Sequence, residues 1–97
     1  MIKHLFFLLL FTLSSSLAFS QTEISGTLTD LDTKEPLIGA NVVFEGTSTG
    51  TATDYNGAFS LMVPEGATSI VVSYTGYQDK IIEIGNQTLF NIELPSS

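Results

Sequence analysis

Acidic side chains supply most of the groups in this chain that could do chemistry. Asp30, Asp32 and Glu35 form the densest acidic loop. Two carboxylates across a cleft can act as acid and base in glycoside hydrolysis, and several carboxylates in one loop can bind calcium. The loop lacks the glycine and the further acids of an EF-hand, and acids are common in turns because they bond to their own backbone. We therefore interpret it as a solvated turn and expect no metal site and no catalytic pair there.

Nucleophilic catalysis lacks its usual parts. His4 is the one histidine and the chain has no cysteine, so neither a Ser-His nor a Cys-His pair can form once the first residues are removed,. A zinc site would have to consist of carboxylates alone, which is rare. We expect a protein that is not an enzyme, with no catalytic residues and no cofactor.

Two further sets of side chains suggest binding. Asp54 and Asn56 could be metal ligands, but a tight turn explains both. Tyr55, Tyr74 and Tyr77 could form an aromatic platform for a sugar, although we expect Tyr74 in the core and Tyr77 at a sheet edge,.

Two short segments also have a binding interpretation beside a structural one. The threonine-rich face of residues 47–53 could pair with a partner strand by β-augmentation. Residues 86–88, Asn-Gln-Thr, match a glycosylation sequon but are expected to form a turn,.

The first 20 residues have the pattern of a secretory signal peptide. Lys3 and His4 precede an apolar run from 5 to 13, and small residues end the segment at Ala18 and Ser20,. The apolar run is well short of the roughly 20 residues that a spanning helix needs. We predict cleavage before Gln21 and export to the periplasm or the outer membrane, with no transmembrane segment in the mature chain.

The mature chain, residues 21–97, is long enough for one small domain. It holds two lysines, Lys34 and Lys80, against ten acids, a formal net charge of −8. Such a surface repels nucleic-acid phosphates and anionic lipids, so we exclude nucleic acid as a partner.

Short extended segments separated by turns indicate an all-β fold. We predict strands at 23–30, 39–45, 49–54, 57–63, 68–75, 80–84 and 89–94, the third and fourth forming a hairpin across Asp54-Tyr55-Asn56-Gly57,. A type I turn is predicted from Val63 to Gly66. The apolar run within 68–75 predicts a central strand covered on both faces. The whole predicts a seven-stranded β-sandwich with Greek-key connections.

Five ordered segments carry a resemblance to a known family. They are ISGTLTD at 24–30, PLIGANV at 36–42, GTSTGTATDYNGAF at 46–59, VPEG at 63–66 and VSYTGY at 72–77. Together they resemble the carboxypeptidase regulatory-like domain and cover nearly all of the mature chain. The resemblance implies a transthyretin-like sandwich that is not itself catalytic.

The resemblance also implies a setting. In Bacteroidetes such domains follow a signal peptide at the N-terminus of SusC/RagA-like TonB-dependent outer-membrane receptors, before a TonB-binding segment, a plug and a barrel. The sequence in hand stops at Ser97. We expect either the N-terminal domain or a truncated fragment of such a receptor, with the plug, the barrel or TonB-system components as partners. The alternative is a free-standing secreted module that binds a glycan or a peptide.

Overall fold

Residues 22–97 are described by a computed structural model, and they contain strands but no helix. The seven strands are β1 (Glu23–Asp30), β2 (Asn41–Phe44), β3 (Gly50–Ala52), β4 (Ala58–Met62), β5 (Ser69–Ser73), β6 (Lys80–Glu83) and β7 (Leu89–Leu94). All seven predicted strands are confirmed in order, and those at 23–30 and 89–94 have the predicted bounds. The predicted signal peptide, residues 1–20, and the cut before Gln21 lie outside the described residues.

The strands form two sheets. One has three strands in the order β4-β1-β7, and the other has four in the order β3-β2-β5-β6. β1 pairs antiparallel with β4 and parallel with β7, whereas every pair in the four-stranded sheet is antiparallel. The all-β class and the two-layered sandwich are confirmed.

One hydrophobic core lies between the sheets, and the alternation of the strands builds it. In β1 and β7 every second residue is buried, as expected for strands with one face on a core,. The buried apolar residues come from both sheets and from the loops that join them: Ile24, Leu28, Leu37, Ala40, Val42, Phe44, Phe59, Leu61, Ile70, Val72, Ile84, Phe90, Ile92 and Leu94. Each large member contributes about 1.5–3 kcal/mol through burial.

Gly26 lies where β1 crosses the middle of the core. Its register partners are Phe59 on β4 and Phe90 on β7. A Cβ at this position would lie 2.2 Å from the Phe90 carbonyl oxygen and 3.0 Å from the Phe59 ring. The glycine therefore allows the β7 backbone at Phe90 and the Phe59 ring to approach the central strand closely.

The predicted hairpin of the third and fourth strands is wrong. β3 pairs with β2 and β4 pairs with β1, so the two strands belong to different sheets. The turn itself exists, since the Gly57 amide donates to the Asp54 carbonyl at 2.9 Å and Gly57 has a φ of 71°. Turn chemistry sets only the reversal of the chain. Here the reversal carries the chain from one sheet to the other.

The predicted type I turn from Val63 is also corrected. The Ala67 amide donates to the Pro64 carbonyl, so the turn begins one residue later. Gly66 then occupies the third position with a φ of 85°. A positive φ at that position is incompatible with type I and is required by type II.

β5 is central, as predicted, but its two faces are not equally covered. It lies between β2 and β6, with Ile70 and Val72 buried on the core side. Val71, on the opposite side, is half-buried. Among residues 22–97 the outer face is therefore covered only in part, since Ser69 on that side is buried whereas Val71 is not fully so.

Candidate functional site

Asp30 ends β1 on the core side and is the most heavily bonded side chain of the candidate acidic loop. One carboxylate oxygen accepts from the Asp32 and Thr33 amides at 2.8 and 2.9 Å, and the other accepts from the Tyr77 hydroxyl at 2.6 Å. The Tyr77 bond, followed by those from the Thr33 and Asp32 amides, holds the pKa of the Asp30 carboxyl below its ordinary value,. Asp30 is thus held as a carboxylate that caps a turn.

The same hydrogen bond acts on the tyrosine. The hydrogen bond to the Asp30 carboxylate, together with burial, raises the pKa of the Tyr77 hydroxyl above its ordinary value,. Tyr77 therefore stays protonated and donates to Asp30 at neutral pH.

The other residues of the acidic loop either take part in structural contacts or are exposed to solvent. Lys34 has a φ of 66°, and its amide donates to the Asp30 carbonyl at 2.9 Å. Its ammonium forms an ion pair with Glu93 on β7. Asp32 and Glu35 are exposed. Nowhere in residues 22–97 do three side chains of the histidine, cysteine, aspartate and glutamate types gather closely enough to hold a metal ion.

Tyr77 also holds the end of the chain. It forms an isolated bridge with Ser96, the Gln78 amide donates to the Pro95 carbonyl at 2.9 Å, and the Ser97 amide donates to the Gly76 carbonyl at 3.0 Å. The segment after β7 is thereby paired with the segment that leaves β5.

The candidate sugar platform is not assembled. The rings of Tyr74 and Tyr77 lie 5.6 Å apart, are tilted by 33° and pack against the core. Tyr55 is 85% exposed at the tip of the turn between β3 and β4. The three tyrosines therefore do not form one stacking surface.

Asp54 is explained by that turn. One of its carboxylate oxygens accepts from the amides of Asn56 and Ala58, each at 2.9 Å. Both bonds are local, and Asn56 is exposed. The two residues act in chain reversal, as the sequence interpretation expects.

The threonine-rich face of residues 47–53 is exposed only in part: Thr47 and Thr49 are exposed and β3 is an edge strand of its sheet. Thr51 is half-buried and is the register partner of buried Val42. Thr53 is buried, donates to the Leu37 carbonyl and accepts from the Ala40 amide at 2.9 Å. Alternation turns Thr51 and Thr53 toward the core. The free backbone edge of β3 is three residues long, Gly50–Ala52.

The sequon segment forms a turn, as expected. The Gln87 amide donates to the Ile84 carbonyl at 3.1 Å, and the Gln87 side chain donates to the Leu89 carbonyl at 2.6 Å. Asn86 and Thr88 are exposed.

The surface of residues 22–97 includes two shallow clefts. One, of about 390 Å³, lies between the start of β6 and the outer side of β7, and is lined by Gln78, Lys80, Asn91 and Glu93 among others. The other, of about 380 Å³, lies near Val63 and Ile84. Both are open to solvent, and polar and charged side chains, Asp79 and Glu93 among them, line most of the first.

A row of aliphatic residues on the outer side of the four-stranded sheet escaped the sequence interpretation. Val43 pairs with Val71, and Val71 pairs with Ile81. Val43 and Val71 are half-buried and Ile81 is 59% exposed. We call these three residues the outer row. Side chains alternate between the two faces of a strand, so the immediate neighbours of inward-facing Val42 and Val72 are expected to face outward. This rule would have identified the outer row from the sequence.

The described part of the chain, residues 22–97, has no helix long and apolar enough to cross a bilayer.

Comparison with known proteins identifies the domain. The family model of the CarboxypepD_reg-like domain matches residues 24–97. Among curated proteins, TonB-dependent receptor SusC of Bacteroides thetaiotaomicron is 46% identical over 67 residues, which are 69% of this chain and 6% of the receptor.

Two receptors of Formosa agariphila also match. TonB-dependent receptor P3 is 27% identical over 93 residues, 96% of this chain and 9% of the receptor. TonB-dependent receptor P39 is 33% identical over 75 residues, 77% of this chain and 7% of the receptor. The chain thus corresponds to less than a tenth of each relative. With a family model that covers residues 24–97, the chain belongs to the CarboxypepD_reg-like domain family.

Proposed function

We propose that this chain is a non-catalytic, exported accessory domain that forms the periplasmic N-terminal part of a SusC/RagA-like TonB-dependent outer-membrane receptor. The observation that carries the proposal is its similarity to three curated TonB-dependent receptors, one of them 46% identical over 67 residues. In this role the domain positions or regulates the receptor through protein contacts.

The arrangement of the polar side chains supports contact rather than catalysis. Asp30 and Asp54, the best-placed carboxylates of the described residues, accept backbone amides in turns. The clefts are open to solvent, and of the two carboxylates that line one of them Asp79 is exposed and Glu93 is paired with Lys34. The charged surface of the domain is therefore available to partners.

The finer features belong to the same proposal. A signal peptide at residues 1–20 is cleaved before Gln21, and the mature domain lies in the periplasm against the outer membrane. The two sheets are joined as a transthyretin-like Greek-key sandwich. The partners are the receptor plug and barrel or components of the TonB system.

The test is an in-frame deletion of the codons for residues 22–97 from the gene that encodes this chain with the receptor segments after it. An accessory domain predicts normal amounts of receptor in the outer membrane by immunoblot and reduced uptake of its substrate. Unchanged uptake at unchanged receptor level would contradict the proposal. The substitution Glu65→Gln, in an exposed turn of the same domain, serves as the control.

A second candidate, the free-standing glycan-binding module, is favoured by one observation. Tyr55 is 85% exposed at a turn tip, where an aromatic ring can stack on a sugar,. Titration of oligosaccharides while tyrosine fluorescence is followed tests it, with Tyr55→Ala as the variant. A signal that saturates and is lost in Tyr55→Ala would favour this candidate over the receptor domain.

A further inference from the structure

The outer row crosses the strands of the four-stranded sheet at right angles. Val43, Val71 and Ile81 are successive register partners on β2, β5 and β6. Because neighbouring strands lie about 4.8 Å apart, the row spans about 10 Å. At its β3 end Gly50 has no side chain, and Val43 lies over it, since a Cβ on Gly50 would be 2.8 Å from Val43 Cγ2.

The composition of β5 indicates that this face is normally covered. A continuous apolar run such as Ile70-Val71-Val72 is typical of strands buried on both faces, whereas strands with one solvated face alternate with polar residues. β1 and β7 follow the second pattern, whereas the middle of β5 follows the first, between two flanking serines. Within residues 22–97 the outer face of β5 is covered at Ser69 but only half-covered at Val71.

Carboxylates border the row. Ser69, beside Val71 on the outer side, pairs with Glu83 on β6, and its hydroxyl donates to the Glu45 carboxylate at 2.6 Å. We call Glu45 and Glu83 the acidic border. Among residues 22–97 the ion pair is that of Lys34 with Glu93, so neither border residue has a basic partner there.

The charge of this face selects among occupants. A second copy laid on it would bring two acidic borders together, in a segment (residues 21–97) whose formal net charge is −8, which like-charge repulsion disfavours,. An anionic lipid surface is disfavoured for the same reason. A cationic protein segment is complementary to it.

The spacing of the row selects the conformation of that segment. Side chains on one face of a strand repeat every 6.4–6.8 Å or so. On a helix they repeat once per turn, at about 5.4 Å, which is nearer to the strand separation of about 4.8 Å. An amphipathic helix with aliphatic residues at i, i+4 and i+7 can therefore contact all three residues of the row.

We propose that the outer row is a docking surface for a cationic amphipathic helix of a protein partner, whose aliphatic face covers Val43, Val71 and Ile81 and whose lysines or arginines face Glu45 and Glu83. The inference rests on the proposed function in that it assigns the protein contacts of the accessory domain to one surface.

The test uses the full chain and a synthetic helix-forming peptide of about 15 residues, a length at which isolated helices become stable. Its leucines occupy positions i, i+4 and i+7, and its flanks carry lysines. A matched peptide carries glutamates in place of the lysines. Binding is followed by amide chemical shifts and by titration. We expect shifts centred on the outer row with the lysine peptide and none with the glutamate peptide.

Two pairs of variants locate the binding. Ile81→Gln is expected to weaken it about tenfold or more, as is typical for a central apolar contact, whereas Leu89→Gln, at an equally exposed residue of the other sheet, leaves it unchanged,. Glu83→Gln weakens it and reduces its salt dependence, whereas Glu65→Gln, in an exposed turn, does not,.

Four outcomes would overturn the inference. They are equal loss of binding in both members of a pair, shifts spread over the whole acidic surface, concentration-dependent dimerisation that Ile81→Gln abolishes, and co-sedimentation with phosphatidylglycerol vesicles that depends on Ile81. The uptake test of the proposed function is independent, since the deletion can reduce uptake whether or not this surface binds a helix.

Discussion

The hydroxyl of Tyr77 donates a 2.6 Å hydrogen bond to the carboxylate of Asp30. Asp30 ends β1 in the three-stranded sheet, and Tyr77 follows β5 of the four-stranded sheet. Since the Tyr77 backbone also forms a bridge with Ser96, one residue connects the two layers through its side chain and residues 96–97 through its backbone. This contact links the end of the domain to its core.

The contact gives the protein a dependence of stability on acid pH. The folded-state pKa of Asp30 is lowered, so its stabilising effect is fully present above the unfolded value, about 3.9, and is lost as pH falls through the folded value,. Removal of the donor in Tyr77→Phe lowers stability at neutral pH and makes the decline below about pH 4 shallower. Urea denaturation at several pH values measures both effects. Tyr55→Phe is the control, and an identical acid profile for Tyr77→Phe and the wild type would contradict the assignment.

The same contact predicts a second decline at alkaline pH. The folded-state pKa of Tyr77 is raised, so its contribution is fully present below about pH 10, the unfolded value, and is lost as pH rises through the folded value,. Ultraviolet titration of tyrosinate absorbance should show a late ionisation step, above the ordinary pKa of tyrosine. In Tyr77→Phe that late step should be absent, and its persistence would show that another tyrosine causes it.

Gly26→Ala tests the close approach at the centre of β1. The new methyl group would lie 2.2 Å from the Phe90 carbonyl oxygen, and backbone cannot move away as a flexible side chain could. We expect a loss of about 3 kcal/mol or more in the free energy of unfolding, at or above the usual cost of overpacking. Denaturant unfolding measures this loss, with Ser60→Ala, at an exposed position of β4, as the control. A loss below about 1 kcal/mol would show that β1 and β7 separate more easily than this packing implies.

Thr53→Val tests the buried hydroxyl between β3 and β4. The substitution keeps the shape but leaves the Leu37 carbonyl and the Ala40 amide without the partners they have in the wild type. An unsatisfied buried group costs about 1–3 kcal/mol, so we expect a loss of about 2–4 kcal/mol. The control is Thr49→Val at an exposed position, which should change stability by less than about 0.5 kcal/mol,. Equal effects of the two substitutions would mean that the Thr53 bonds are not stabilising.

Local patterns predicted the strands but not all of their partners. The alternation of Phe90 and Ile92 with Asn91 and Glu93 follows directly from the pleat, and the strand has the predicted bounds,. The turn that ends at Gly57 was also predicted. Its flanking strands enter different sheets because pairing is decided by distant residues, here β2 and β1, which a local pattern does not specify.

The candidate site shows the same limit. Asp30 and Tyr77 were each noted as residues of interest, but 47 positions separate them and no sequence spacing brings them together. The apolar run of β5 correctly placed that strand in the centre of its sheet. The run alone did not show that the outer face of β5 is only partly covered within residues 22–97, because that coverage depends on residues distant in sequence.

The central claim is that this domain begins a TonB-dependent receptor, and the most direct test is to read the genomic DNA downstream of the codon for Ser97. The account predicts that the reading frame continues into a TonB-binding segment, a plug and a barrel, in keeping with relatives of which this chain covers 6–9%. An in-frame stop codon directly after Ser97 in several strains would contradict it and favour the free-standing module.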